Sequence, residues 1–184
     1  MIYLLLLILS FTLTYFIKNY AIKKSLVDIP NDRSSHSVPI PHGGGVAISI
    51  SWFIGLNYLY FMGDIPSALY MALMVGIVIA IVSYIDDLVE LSPKLRLLTQ
   101  SFVAFMGLYF LDGFNELDIF FFTVHNQVFT NIFAFFMIIW FINLYNFLDG
   151  IDGYAGSEAL FLALAAFLLF GDNYFIVFVL SVLG

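Results

Sequence analysis

The sequence predicts an all-α, polytopic integral membrane protein, a helical bundle of about six to seven transmembrane helices. Three observations carry that expectation. The chain of 184 residues is 62% hydrophobic, with 22 Phe, and only 10% charged, and its mean hydropathy is +1.03. That balance belongs to chains solvated by lipid. Apolar runs recur from end to end, and the charges collect between them rather than within them. There is no cysteine, which excludes disulfides and thiolate chemistry. The formal net charge of −7 gives no reason to expect a nucleic-acid partner.

Taken in order, the apolar runs cover residues 1–17, 46–62, 68–85, 97–111, 128–142, 159–170 and 174 onward. A hydrocarbon core of about 30 Å asks for about 17–25 apolar residues. The fourth and sixth runs are short, so their ends should lie in polar flanks or beneath neighbouring helices. The first run lacks a basic leader and a small-residue cleavage site, and Lys18, Lys23 and Lys24 follow it rather than precede it. It reads as a retained anchor rather than a cleaved signal. With no internal repeat, residues 1–184 read as a single transmembrane domain.

Orientation follows from the six basic residues. Lys18, Lys23, Lys24 and Arg33 fall in the first loop and Lys94 and Arg96 in the third, which makes the odd loops cytoplasmic and the N-terminus external. The outer loops carry Asp64, Asp112, Glu116, Asp118 and Asp172. Three polar segments then emerge on the cytoplasmic side, where one site could draw on all of them.

The first segment reads VDIPNDRSSHSVPIPHGGGVAI. Pro30, Pro39 and Pro41 forbid a continuous helix, and Gly43, Gly44 and Gly45 let backbone N–H groups approach phosphate oxygens, with Arg33 and His36 adding charge. An ordinary Pro/Gly loop is the alternative. The second reads IDDLVELSPKLRLLTQ. Adjacent carboxylates at Asp86 and Asp87 repel unless a cation lies beside them, and Mg²⁺ suits such a pair because it keeps positions for water and phosphate. Lys94 and Arg96 follow a Ser-Pro helix start. Here the alternative is a solvated loop whose acids and bases pair with each other. The third reads NLYNFLDGIDG, with Asn143, Asn146, Asp149 and Asp152 at every third position. That spacing traces one drifting stripe if the helix continues, while the interleaved glycines argue for a helix that breaks into a tight loop. Two acidic clusters, a glycine turn and a few bases suit phosphoryl chemistry, and suit a cation pathway less well.

Together, DIPNDRSSH with PIPHGGG, DDLVELSPKLRLLTQ and NLYNFLDGIDGYAG resemble, in order and spacing, the polyprenyl-phosphate N-acetylhexosamine-1-phosphate transferase superfamily, and its O-antigen-initiating branch in particular. The resemblance implies transfer of a sugar 1-phosphate from a UDP-N-acetylhexosamine to undecaprenyl phosphate, with release of UMP. Mg²⁺ or Mn²⁺ would assist, at the cytoplasmic face of the bacterial inner membrane. It implies metal binding and activation of the lipid phosphate for Asp86 and Asp87, and nucleotide-sugar binding or catalysis for Asp149 and Asp152. Asn143, Asn146, Lys94, Arg96, Arg33, His36, Gly43, Gly44 and Gly45 match positions around the substrates. Beyond the segments quoted, the family continues with a metal-holding Gly-Asp motif and a His-rich loop, neither of which is matched within residues 1–184, so the chain is expected to be the N-terminal portion of a longer transferase. The competing expectation is an inert truncated relative or a cation-pathway protein. The identity of the sugar, one-step or two-step transfer, and a homodimer all stay open.

Overall fold

A computed structural model describes residues 2–24, 26–28, 39–41, 43–119, 121–148 and 153–183. It is helical almost throughout and divides into two compact units, Met1–Asp64 with Phe147–Gly184, and Ile65–Asn146.

In the first unit, α1 (Ile2–Lys23) and α2 (Gly44–Met62) flank a two-residue ladder of β1 (Val27–Asp28) and β2 (Ile40–Pro41), in which Val27 opposes Pro41. The helices α7 (Tyr154–Phe170) and α8 (Asn173–Leu183) complete it, and α8 packs on α1, α2 and α7. Between membrane helices lipid removes most of the hydrophobic drive, so close approach and hydrogen bonds decide the packing. Both are present. Leu6, Leu56, Leu59 and Val177 are fully buried, and Gly55 lets α2 come so near that an added Cβ would lie 2.3 Å from Val177 Cγ1. Ser10 Oγ donates to the Ser181 carbonyl at 2.6 Å, joining α1 to α8. Trp52 and Phe178 meet edge to face with centroids 5.4 Å apart.

In the second unit, α3 (Ser67–Met74) and α4 (Gly76–Val89) meet at Val75, whose backbone stays helical. The two therefore form one apolar stretch of 23 residues, Ser67–Val89. Both pack on α5 (Pro93–Phe110), which buries Thr99, Gln100, Ala104 and Leu108 along one face, the spacing of a helical stripe. A hairpin of β3 (Leu117–Ile119) and β4 (Phe122–Val124) leads to α6 (Gln127–Leu148). Ile81, Val89, Phe105, Tyr109, Phe136 and Trp140 all face outward, as lipid as solvent allows.

Four helices, Tyr3–Lys23, Gly44–Met62, Ser67–Val89 and Gln127–Phe147, are long and apolar enough to cross a membrane, and α7 and α8 are shorter apolar helices. Each of the seven expected runs lies in a helix, and the polytopic all-α reading stands. The boundaries differ at the polar ends. The third span continues through Asp86 and Asp87 to Val89, and α6 continues through Asn143 and Asn146 to Leu148. Apolar residues on the following turn, Leu88 and Val89 after the acids and Phe147 after Asn146, extend each helix past its polar positions. The β3–β4 hairpin was not anticipated, because three-residue strands leave too short an alternation to read in an aromatic-rich segment.

Candidate functional site

The first acid pair stands on the last turn of α4. That helix stops because Glu90 turns into the left-handed region (φ 45, ψ 85) while its N–H still bonds the Asp86 carbonyl at 2.9 Å. The next N–H, of Leu91, has no carbonyl one turn back to meet, and the Asp86 side chain receives it: Leu91 N donates to Oδ1 at 2.6 Å. The other oxygen, Oδ2, accepts from Arg96 Nη1 at 3.3 Å, with the carboxylate 22% and the guanidinium 42% exposed. Ser92 caps α5, accepting the Leu95 N–H, and Pro93 occupies its first turn, where a missing N–H costs nothing. The α4–α5 turn is thereby built around Asp86. Asp87, its neighbour, is exposed, as is Lys94.

One helical turn beyond Arg96, Gln100 and Asn143 exchange amides between α5 and α6. Asn143 Nδ2 donates to Gln100 Oε1 at 2.7 Å and to the Ile139 carbonyl at 2.8 Å, while Gln100 Nε2 donates to Asn143 Oδ1 at 3.3 Å. Asn146, the next position of the stripe, is exposed near the end of α6. Asp86, Asp87, Lys94, Arg96, Asn143 and Asn146 thus lie on three elements of the second unit. Gln100 has no expected role in the sequence; an amide four residues after Arg96 in an apolar helix is the readable sign of it.

In the first unit, Gly43 precedes α2 with φ 101, a left-handed conformation, and a Cβ there would lie 3.0 Å from Ile17 Cγ2. Gly44 and Gly45 are exposed and have open space about them. Gly43, as N-cap, offers no side-chain cap, and in the first turn the Val46 N–H bonds the Gly43 carbonyl at 3.0 Å; a helix start of this kind suits an anion. Arg33, His36, Asp149 and Asp152 lie outside the described residues. In α7, Glu158 holds a buried Oε2 that has no hydrogen-bond partner among the described residues. An ionisable group in an apolar helix is the readable sign of it.

Among the described residues no group of three or more His, Asp or Glu side chains could hold a metal ion. Asp86 and Asp87 offer hard carboxylate oxygens from adjacent positions on the last turn of α4. A carboxylate has about four lone-pair directions, so the two hydrogen bonds to Asp86 leave room for a further ligand bond. Such oxygens suit Mg²⁺, which takes one or two carboxylates and is otherwise satisfied by water and phosphate oxygens.

These features define a class: a multi-pass helical membrane protein whose acids, amides and bases gather at helix ends, as phosphoryl chemistry at a membrane surface requires. The family follows from comparison. Residues 68–184 match the model of glycosyl transferase family 4, and the chain belongs to that family; the matched residues include the second and third motifs. It is similar to the undecaprenyl-phosphate alpha-N-acetylglucosaminyl 1-phosphate transferase of Thermotoga maritima, with 31% identity over 161 residues, 85% of this chain and 48% of that protein. Proteins of the same name from Salmonella typhi and Salmonella typhimurium are 32% identical over 89 residues, 47% of this chain and 23% of theirs. The chain spans about half the length of the Thermotoga maritima relative or less of the others.

Proposed function

We propose that this chain is part of an enzyme that transfers an N-acetylhexosamine 1-phosphate from a UDP-sugar to undecaprenyl phosphate and releases UMP. This step would initiate a surface polysaccharide such as O-antigen at the cytoplasmic face of the inner membrane. The observation that supports it best is the Asp86–Asp87 pair, one member tied to the α4–α5 turn and the other exposed beside it, in a chain of this family. In the transfer, an oxygen of the lipid phosphate bonds the sugar-bearing phosphorus of the donor. The bond from that phosphorus to the bridging oxygen breaks, and UMP leaves with its electron pair.

Two anions must meet in line, so charge neutralisation and positioning dominate the barrier. Asp86 and Asp87 would hold Mg²⁺ or Mn²⁺, which when bound supplies charge neutralisation for the phosphates. A carboxylate of the pair takes the last proton of the lipid phosphate. Lys94 and Arg96 would draw in phosphate oxygens, and the α2 N-terminus at Gly43, Gly44 and Gly45, with Arg33 and His36, would bind anionic substrate. Asp149 and Asp152, with Asn146 near them in sequence, would hold the nucleotide sugar, and Asn143 stands one turn earlier on the same helix.

The test uses membranes carrying the full reading frame, supplied with undecaprenyl phosphate, Mg²⁺ and a panel of labelled UDP-N-acetylhexosamines. Lipid-linked sugar and UMP should form together and vanish with EDTA. Formation of neither product sinks the transferase reading, and undiminished activity in Asp86→Asn, Asp87→Asn and Asp149→Asn sinks the residue roles.

A further inference from the structure

We infer that Gln100 is a positioning residue: its amide, clasped to Asn143, sets the register of α6 against α5 and so the place of Asn146 relative to Asp86. The catalytic consequence rests on the transferase reading, whereas the clasp stands on geometry. Asn143 has two N–H donors, and both are engaged, one by Gln100 Oε1 at 2.7 Å and one by the Ile139 carbonyl at 2.8 Å. Its carbonyl oxygen accepts the Gln100 Nε2–H at 3.3 Å. No donor is left for a sugar nucleotide. Asn143 therefore acts through α6, and Gln100, only 9% exposed, is what it acts upon.

The rest of α6 shows why a clasp matters. Phe136, Met137, Trp140 and Phe141 are exposed, and apolar side chains facing lipid give the helix no preferred height along its neighbour. Amides fasten it instead, near both ends. Toward its start, Asn131 Oδ1 accepts the Phe114 N–H at 2.9 Å and Asn131 Nδ2 donates to the Gln127 carbonyl at 2.8 Å. Toward its end, the Gln100–Asn143 exchange does the same work. One attachment ties α6 to the loop that follows α5, at Phe114, and the other ties it to α5 itself, at Gln100. Along α5, Gln100 is one turn from Arg96, which holds Asp86; along α6, Asn143 is one turn from Asn146. The amide exchange is thus the link between the acid pair and the polar end of α6. Loss of register there misplaces groups that must meet in line, which slows the chemical step more than it weakens binding.

The experiment uses the full reading frame, in membranes for kinetics and in detergent for thermal unfolding. Gln100→Leu and Asn143→Leu, made singly, orphan one amide each and should lower the unfolding midpoint. Together they remove both polar partners and should restore that midpoint, since an apolar pair is at home between lipid-facing helices. The double variant should still lose about ten- to a hundred-fold in kcat with donor KM changed less than about three-fold. The exchange of Gln100→Asn with Asn143→Gln should recover most of both. Full kcat in the double Leu variant overturns the inference, as does a raised donor KM at unchanged kcat in Asn143→Leu. If the wild type transfers nothing, the transferase reading falls and the thermal cycle decides the clasp: coupled midpoints uphold it and additive ones overturn it.

Discussion

Asp86 is held at a helix end by two donors, and this lets its part in stability be measured apart from activity. It accepts the Leu91 N–H and the Arg96 guanidinium, so Asp86→Ala orphans a backbone donor and frees a cation. A hydrogen bond to a charged group contributes about 1.5–3 kcal/mol, and the Arg96 contact, partly solvated, adds at most about 1 kcal/mol. In thermal unfolding of detergent-solubilised protein, Asp86→Ala should lower the midpoint clearly and Asp86→Asn, which keeps an acceptor for the Leu91 N–H, should lower it less, although both are expected to abolish transfer. Equal midpoints would refute the structural role of that acceptor.

At the scale of elements, what could be read from the residues was the set of apolar runs, because burying a backbone in lipid demands long, unbroken hydrophobic segments. The terminations were harder to see. Nothing in DDLVELSP marks Glu90 as the residue that turns left-handed, and an Asp86 side chain satisfying Leu91 depends on that turn. The exchange between Gln100 and Asn143 joins positions 43 residues apart, a distance at which local pattern carries no information. The sequence therefore names candidate residues by type, and it does not name the partners that Asp86 and Asn143 have in the fold. Two glycines test the packing of the elements. Gly55→Val would drive a side chain into Val177 and Leu6, where overpacking costs about 1–3 kcal/mol, and should lower the midpoint and yield of membrane-inserted protein. Gly113 has φ 66, and a Cβ there would fall 2.2 Å from Asn131 Oδ1. Gly113→Ala should displace Asn131 from the Phe114 N–H and loosen the start of α6, which amide exchange at Phe114 can report. Unchanged protection of that amide would show that Asn131 does not hold it.

Across the whole molecule the expected topology rests on where the basic residues fall in the sequence. Lys18, Lys23, Lys24, Arg33, Lys94 and Arg96 belong to the first and third loops of the sequence, and Asp64, Asp112, Glu116 and Asp172 to the others, so the positive-inside rule predicts a cytoplasmic α4–α5 turn. If successive spans alternate direction, the β3–β4 hairpin is expected on the outer side. The absence of cysteine makes this simple to check, since one introduced thiol gives an unambiguous label. Lys94 and Glu116 are both exposed. An impermeant maleimide should label Glu116→Cys, not Lys94→Cys, in right-side-out vesicles, and the pattern should invert in inside-out vesicles. The reverse pattern would place Asp86 and Asp87 on the outer face, away from cytoplasmic sugar nucleotides, and the transferase reading would lose its donor even if every helix were correct.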